Sequence, residues 1–160
     1  MLATFGKLAA EEAQMTETIT NENTERMAKV IAVTPYMVHL GMEFIEAGDG
    51  YAKLRLRYQK ENSTAAEALH GGAIASLIDT TGAMAAWTTA EILTPKYFGS
   101  TVGITVNYLS AVIGEDCWAE GRVLKRGKEV IYNDVRVTNE AGKLLAQGTV
   151  IYRIIERKQD

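Results

Sequence analysis

The chain has 160 residues, of which 47% are hydrophobic and 23% charged, a composition that suits one globular domain with a sizeable core. Its formal net charge is −3 and its lysines and arginines are scattered, which argues against a nucleic-acid partner because phosphate binding requires a basic face. No stretch approaches the roughly 18 apolar residues of a membrane span. The N-terminus soon meets Glu11 and Glu12, unlike a signal peptide, so we expect a cytoplasmic protein without a membrane partner.

Metal and disulfide chemistry find little support in the sequence. Cys117 is the single cysteine and has no intrachain partner for a disulfide. One cysteine and two histidines do not supply a metal-ligand cluster. We therefore expect neither a disulfide nor a metal site.

The first third of the chain is predicted to hold an arm, a helix and a hairpin. Residues 1–23 are polar and typical of a solvated helix or a frayed arm. Apolar residues then recur at helical spacing between Thr24 and Pro35: Met27, Val30 and Ile31. The period changes to two on either side of Gly48-Asp49-Gly50, where Met42 and Phe44 and then Leu54, Leu56 and Tyr58 alternate with charged residues. This pattern predicts a β-hairpin with one solvated face.

After a polar loop from Gln59 to Glu67, the segment from Ala73 to Thr89 is rich in alanine and lacks proline, as in a buried helix. Four strands are predicted beyond it, at 102–108, 118–125, 130–138 and 144–155. Each strand has one apolar face, and this helix is the only large partner available to bury it. The sequence therefore predicts an α+β fold with an antiparallel sheet wrapped around a long central helix.

A projection of the central helix separates two sides. The side expected to meet the sheet consists of Ile74, Leu77, Ile78, Thr81 and Ala85. Asp79 lies on the other side among small residues: Gly72, Ala75, Ser76, Gly82, Ala83 and Ala86. This small-residue side favours a close contact with another helix or subunit over a solvated surface.

Asp79 allows two interpretations. A buried carboxylate is often held by an arginine or by loop donors and has no further role. Alternatively, Asp79 is a general base or nucleophile in a partly desolvated pocket. The entrance of the helix favours chemistry, because Gly71 and Gly72 leave backbone N–H groups accessible at its positive end, where they suit an oxyanion or a thioester carbonyl. His70, directly before them, either binds substrate or fixes the loop.

The run from His70 to Ala85, with His70-Gly71-Gly72 followed by Asp79, resembles the hotdog thioesterases of the phenylacetate-pathway branch within the 4-hydroxybenzoyl-CoA thioesterase superfamily. Later segments agree with that family in order: 105–110, 124–128 and 142–148. The resemblance implies a hotdog fold and hydrolysis of an acyl-CoA thioester to free acid and CoA, with no separate cofactor. It divides the chain into an N-terminal helical or polar arm at 1–35 and a thioesterase domain at 36–160.

The same resemblance implies roles for individual residues. Asp79 matches the general base or nucleophile, and the Gly71 N–H matches the donor that polarises the thioester carbonyl. His70 matches a residue that contacts substrate near the thiol leaving group. Thr101 matches a Ser or Thr that holds the water or the carboxylate.

An asparagine usually precedes the His-Gly-Gly of such enzymes. A gapless count reaches Thr64 here, whereas Asn62 lies two residues farther upstream. Either the loop holds an insertion and Asn62 takes the catalytic role, or the role is lost or passes to Thr64. We predict Asn62.

Substrate and subunit partners complete the expectations. Lys125, Arg126 and Lys128 form a compact basic turn around Gly127, which is either a solvated hairpin tip or a site for the phosphates of CoA. By resemblance, two subunits form a homodimer with two sites at their interface, and a dimer of dimers is common. The alternatives are a hotdog hydratase or dehydratase and a non-catalytic acyl-CoA-binding module.

Overall fold

The computed structural model describes residues 24–90 and 96–156. The predicted polar arm at 1–23 lies outside the described residues. The regular elements follow in chain order: α1 at 24–33, α2 at Pro35–Leu40, β1 at Met42–Gly48, β2 at Tyr51–Leu56, α3 at Gly71–Thr88, β3 at Tyr97–Tyr108, β4 at Cys117–Arg126, β5 at Val130–Thr138 and β6 at Leu144–Glu156.

Six strands form one antiparallel sheet in the order β1-β2-β4-β5-β6-β3. The long helix α3 contacts every one of them, because each strand turns its apolar face toward it. The predicted α+β hotdog architecture is confirmed. The part of the chain described by the structure contains no helix long and apolar enough to cross a membrane.

The side of α3 predicted to meet the sheet is buried throughout: Ile74, Leu77, Ile78, Thr81 and Ala85. The prediction for two residues of the opposite side is wrong, because Gly82 and Ala86 are also buried. The sheet curves far enough around the helix to reach them. A Cβ on Gly82 would lie only 2.6 Å from the Val150 Cβ of β6, so glycine is required for this close approach. Asp79 and Ala83 stay partly exposed.

The predicted N-terminal helix is confirmed by α1, whose Met27 and Ile31 are buried. The helix was predicted to end before Pro35, with no further helix after it. A second short helix, α2, instead begins at Pro35. Proline fits the first position of a helix, where no N–H partner is needed, and the extended backbone of Thr34 separates the two helices. The Tyr36 hydroxyl lies 2.9 Å from Ser76 Oγ on α3, so α2 packs near the entrance half of the central helix.

Strand β3 begins at Tyr97, five residues before the predicted start. The first residues of β3 do not alternate between apolar and charged side chains, since they include Gly99, Ser100 and Thr101. They form a strand because β6 extends to Glu156 and pairs with this segment from Tyr97 onward. A bulge between Thr101 and Gly103 changes which side chains face α3. Because β3 pairs only with β6, it forms one edge of the sheet, and large apolar side chains along it are exposed: Phe98, Val102, Ile104 and Tyr108.

Candidate active site

The N-terminus of α3 presents one backbone donor that is not engaged. His70 caps the helix: its Nδ1 accepts the Gly72 N–H at 2.9 Å, and its carbonyl accepts the N–H groups of Ala73 and Ile74. The Gly71 N–H has no acceptor within the described residues. It therefore stands at the positive end of an 18-residue helix as a donor available to an external oxygen.

His70 is exposed and its ring is oriented by the cap. Because Nδ1 accepts the Gly72 N–H, the neutral ring carries its proton on Nε2. The His70 N–H donates to the Asn62 carbonyl at 2.9 Å, which fixes the entry of the chain into the helix. His70 is therefore a structural cap of the helix, and its Nε2–H is directed away from the cap; its contact with substrate stays a prediction.

Tyr108, at the end of β3, meets the same helix entrance. Its hydroxyl donates to the Gly71 carbonyl at 2.8 Å, and a Cβ on Gly71 would lie 3.3 Å from its ring. Sequence reasoning recognised Tyr108 only as a member of an alternating strand. The missed signal was its position, since the residue that ends the strand beside the helix entrance can reach the Gly-Gly backbone.

Two predicted site residues from different elements form a direct contact. Thr101 Oγ1 of β3 donates to Asp79 Oδ1 of α3 at 2.6 Å. Thr101 lies directly before the bulge in β3, and Asp79 lies on the partly exposed side of the helix. The hydroxyl orients the carboxylate at the open seam between α3 and β3.

An aromatic pair, the buried Tyr152 and the half-buried Trp87, lies next to this seam. The Trp87 Nε1–H donates to the Tyr152 hydroxyl at 3.1 Å, with the two rings edge to face. Burial raises the pKa of the Tyr152 phenol and the negative charge of Asp79 raises it further, whereas the bond from Trp87 lowers it.

Asn62 requires a correction. Its side chain is buried, and its Nδ2 donates to the carbonyls of Leu40 at 2.9 Å and Arg57 at 2.8 Å. Its Oδ1 accepts the Gln59 N–H at 3.1 Å. Both amide hydrogens are thus occupied by backbone carbonyls, and the group ties the loop between β2 and α3 together. The contact with the reacting centre predicted for Asn62 is contradicted by this geometry.

Thr64 forms a local turn in the same loop. Its backbone N–H donates to the Ala68 carbonyl at 2.7 Å, and its hydroxyl accepts the Ala66 N–H at 3.3 Å. These bonds shape the approach to His70. No contact within the described residues joins Thr64 to Asp79 or Thr101.

The predicted basic turn lies near the opposite end of α3. Arg126 and Lys128 line a cavity of about 480 Å³ that also includes Thr89, and Arg126 Nη1 donates to the Thr89 hydroxyl at 3.0 Å. Two carboxylates of this lining are paired elsewhere, Glu129 with Arg153 and Glu156 with Lys96. Lys125 is exposed and does not line the cavity.

The predicted residues therefore lie at three places along α3: at its entrance around Gly71, at Asp79 with Thr101, and at its far end near Thr89. Gly71 and Asp79 are eight residues apart, about 12 Å along a helix axis, so the free N–H and the carboxylate of one chain cannot both reach one carbonyl group. Thr89 follows Asp79 by ten residues, about 15 Å. Within the described residues, no group of three or more His, Cys, Asp or Glu side chains could hold a metal ion.

Comparison with known proteins gives consistent matches. A family model described as the thioesterase superfamily matches residues 67–146. The chain is 37% identical over 106 residues to human acyl-coenzyme A thioesterase 13, covering 65% of this chain and 73% of that protein. Zebrafish thioesterase superfamily member 2 has a similar structure, with a TM-score of 0.68 and 28% identity over 80% of this chain and 93% of the other. The PaaI protein of the Escherichia coli phenylacetic acid degradation operon has the same fold, with a TM-score of 0.75 at 19% identity over 86% and 96% of the two chains.

Proposed function

Because this chain belongs to the thioesterase superfamily, we propose that it hydrolyses acyl-CoA thioesters through Asp79, with the Gly71 N–H as the oxyanion donor. The protein is an enzyme of the thioesterase class. The observation that carries the proposal is the bond from Thr101 to Asp79. It holds Asp79 Oδ1, and within the described residues Oδ2 has no hydrogen-bond partner.

Asp79 acts as a general base on water. The carboxylate takes a proton from a water molecule while the oxygen of that water bonds to the thioester carbon. The C–S bond then breaks and releases CoA thiolate and the acid. The thiolate is a good leaving group and takes up a proton without a strong acid. Direct attack by Asp79 would instead form an anhydride. Single turnover in ¹⁸O-water detects the anhydride when water opens it at the Asp79 carbonyl carbon, because solvent oxygen then enters the Asp79 side chain while the first acid released stays unlabelled.

The N-terminus of α3 stabilises the negative charge that develops on the carbonyl oxygen. The Gly71 N–H is free within the described chain, and the helix dipole adds to its effect. The His70 Nε2–H provides a second donor near the leaving sulfur. Gly72 contributes indirectly, since its N–H holds the His70 ring.

Two copies of the chain complete each site. The distance of about 12 Å between Gly71 and Asp79 along α3 requires Gly71 from one copy and Asp79 from the other. The exposed edge strand β3 carries Thr101 and several exposed apolar side chains, which suits pairing with a second copy. A dimer of dimers and a cytoplasmic location stay predictions.

The CoA tail binds toward the far end of α3. Within the described residues, neither Arg126 nor Lys128 in the lining of this cavity has a carboxylate partner, which favours binding of phosphate groups. Thr89 in the lining of this cavity follows Asp79 by about 15 Å along the helix axis, a distance that an extended pantetheine arm can span. Lys125 on the adjacent exposed surface supplies a further positive charge to the phosphates.

The test is the release of free CoA from a panel of acyl-CoA thioesters by the wild type and by Asp79→Asn, which keeps the shape of the side chain. Loss of the base should lower kcat by about a hundredfold or more with little change in melting temperature. Full activity in Asp79→Asn would refute the assignment. Binding of acyl-CoA without CoA release would support a binding module, and hydration of an enoyl-CoA would support a hydratase.

A further inference from the structure

A second cavity lies at the entrance of α3, beside the proposed oxyanion donor. It has a volume of about 350 Å³ and extends from Gly71 and Ile74 to the loop that follows β3. Its remaining lining residues are Ala68, Leu69, Tyr108, Leu109, Ser110, Ala111 and Val112. Leu69, Ile74 and Val112 form a buried apolar floor, whereas Tyr108 and Leu109 are more than half exposed at its rim.

The two cavities along α3 differ in charge. Four charged residues line the cavity at the far end, including Arg126 and Lys128, and no charged residue lines the cavity at the entrance. A thioester joins a polyanionic tail to an apolar acyl group. The charged cavity therefore suits the tail, and the uncharged cavity suits the acyl group.

We propose that the cavity beside Gly71 receives the acyl group and limits it to medium size, a proposal that rests on the function proposed above. A carbonyl oxygen bound to the Gly71 N–H places the attached acyl chain next to this opening. At about 30 Å³ for a group the size of a water molecule, the cavity accommodates about twelve non-hydrogen atoms. Apolar acyl groups of octanoyl or phenylacetyl size fit this limit.

Tyr108 defines the mouth of the cavity. Its hydroxyl is held by the Gly71 carbonyl at 2.8 Å, so its ring stays between the oxyanion donor and the rim. Each buried methylene should raise kcat/KM about fourfold until the cavity is full. We expect kcat/KM to rise from acetyl-CoA to octanoyl-CoA and to gain nothing further at palmitoyl-CoA.

Ala111→Trp tests the cavity because Ala111 is an exposed loop residue that lines it. The added ring should fill the space and lower the ratio of kcat/KM for octanoyl-CoA over acetyl-CoA at least tenfold. The matched control is Ile113→Trp, on the same loop, 63% exposed and outside the lining. It should keep the ratio of the wild type. An unchanged ratio in Ala111→Trp, or an equal fall in both variants, would overturn the proposal.

Binding separates this proposal from the proposed function. Calorimetric titration of Asp79→Asn with octanoyl-CoA and acetyl-CoA, with and without Ala111→Trp, measures the affinity ratio in the absence of turnover. A wild type that releases no CoA from any thioester would refute hydrolysis, while the affinity ratio would still decide whether the acyl group enters the cavity. Equal affinities for the two thioesters in the Asp79→Asn background would contradict it.

Discussion

Thr101 and Asp79 show how much of the site depends on single side chains. Their hydrogen bond of 2.6 Å joins the edge strand to the central helix, and both side chains remain accessible at the seam. Thr101 is a positioning residue in this arrangement, because it acts on the carboxylate and not on the thioester. Its hydroxyl fixes which oxygen of Asp79 is free to take a proton.

Replacement of Thr101 should therefore affect catalysis more than folding. Thr101→Val removes the hydroxyl at nearly constant volume, and we expect kcat to fall about tenfold or more because the carboxylate loses its orientation. Thr101→Ser keeps the hydroxyl and should recover most of kcat. Steady-state kinetics with one acyl-CoA, together with thermal melts, distinguish the two. Equal losses in both variants would assign the effect to strand packing and not to the hydroxyl.

Sequence reasoning at this scale chose Asp79 and Thr101, which the fold brings into contact, and it was wrong about where the Asn62 amide points. The contact between Asp79 and Thr101 is consistent with the roles implied by resemblance, although the roles themselves stay predictions. Asn62 was chosen because asparagine is the usual residue type before His-Gly-Gly. Whether an amide faces the substrate or the loop backbone depends on the carbonyls around it, here those of Leu40 and Arg57, and a linear sequence does not contain that information.

At the scale of elements, Asp116 fixes the start of β4 against β2. Its Oδ1 accepts the Tyr58 N–H at 2.7 Å, and its Oδ2 accepts the Arg55 Nε–H at 3.0 Å. Arg55 also bonds Glu43 of β1 at 3.3 Å and stacks on the Trp118 ring. Burial alone would raise the pKa of the Asp116 carboxyl, but these donors stabilise its charged form and the net effect is a lowered pKa.

This lowered pKa predicts a pH-dependent stability. A carboxyl whose pKa is lower in the folded protein stabilises the fold above its unfolded pKa, ordinarily 3.8, and loses that contribution as pH falls through the folded value. Asp116→Asn should lower the free energy of unfolding at pH 7 by about 1 kcal/mol, given its partial exposure. The difference from wild type should shrink toward pH 3 in urea unfolding. A constant difference at both pH values would contradict the expectation; Glu61→Gln, at an exposed carboxylate, is the control.

Strands were predicted correctly where apolar and polar residues alternate along them. The hairpin β1–β2 and strands β4 to β6 alternate cleanly and were predicted within about two residues. The start of β3 was missed because Gly99 and Thr101 lack large apolar side chains. The burial of Gly82 was missed because it depends on the curvature of the sheet around α3, which is a property of the assembled fold and not of any one segment.

For the whole molecule, the α+β architecture followed from counting faces: one long helix was available to cover six apolar strand faces. The resemblance to the hotdog thioesterases is confirmed by the family match over residues 67–146. What the sequence pattern did not provide was the placement of uncharged and charged cavities at opposite ends of α3. These cavities lie between elements far apart in the chain, so their linings emerge only in the folded molecule.

The central claim is that the Gly71 N–H of one copy and Asp79 of another act on the same thioester. Gly71→Pro removes the N–H at a position where proline is favoured, and the extended backbone of His70, with φ of −66° and ψ of 136°, suits a following proline. Gly71→Ala adds a Cβ while it keeps the N–H, and so separates loss of the donor from crowding against Tyr108.

The decisive measurement is therefore CoA release by a mixture of two inactive variants, Asp79→Asn and Gly71→Pro, co-expressed with different tags. In a mixed dimer, one of the two sites combines an intact Gly71 with an intact Asp79. Random pairing in a twofold dimer should restore about a quarter of wild-type activity, concentrated in the doubly tagged fraction. A doubly tagged fraction as inactive as either variant alone would contradict the shared site.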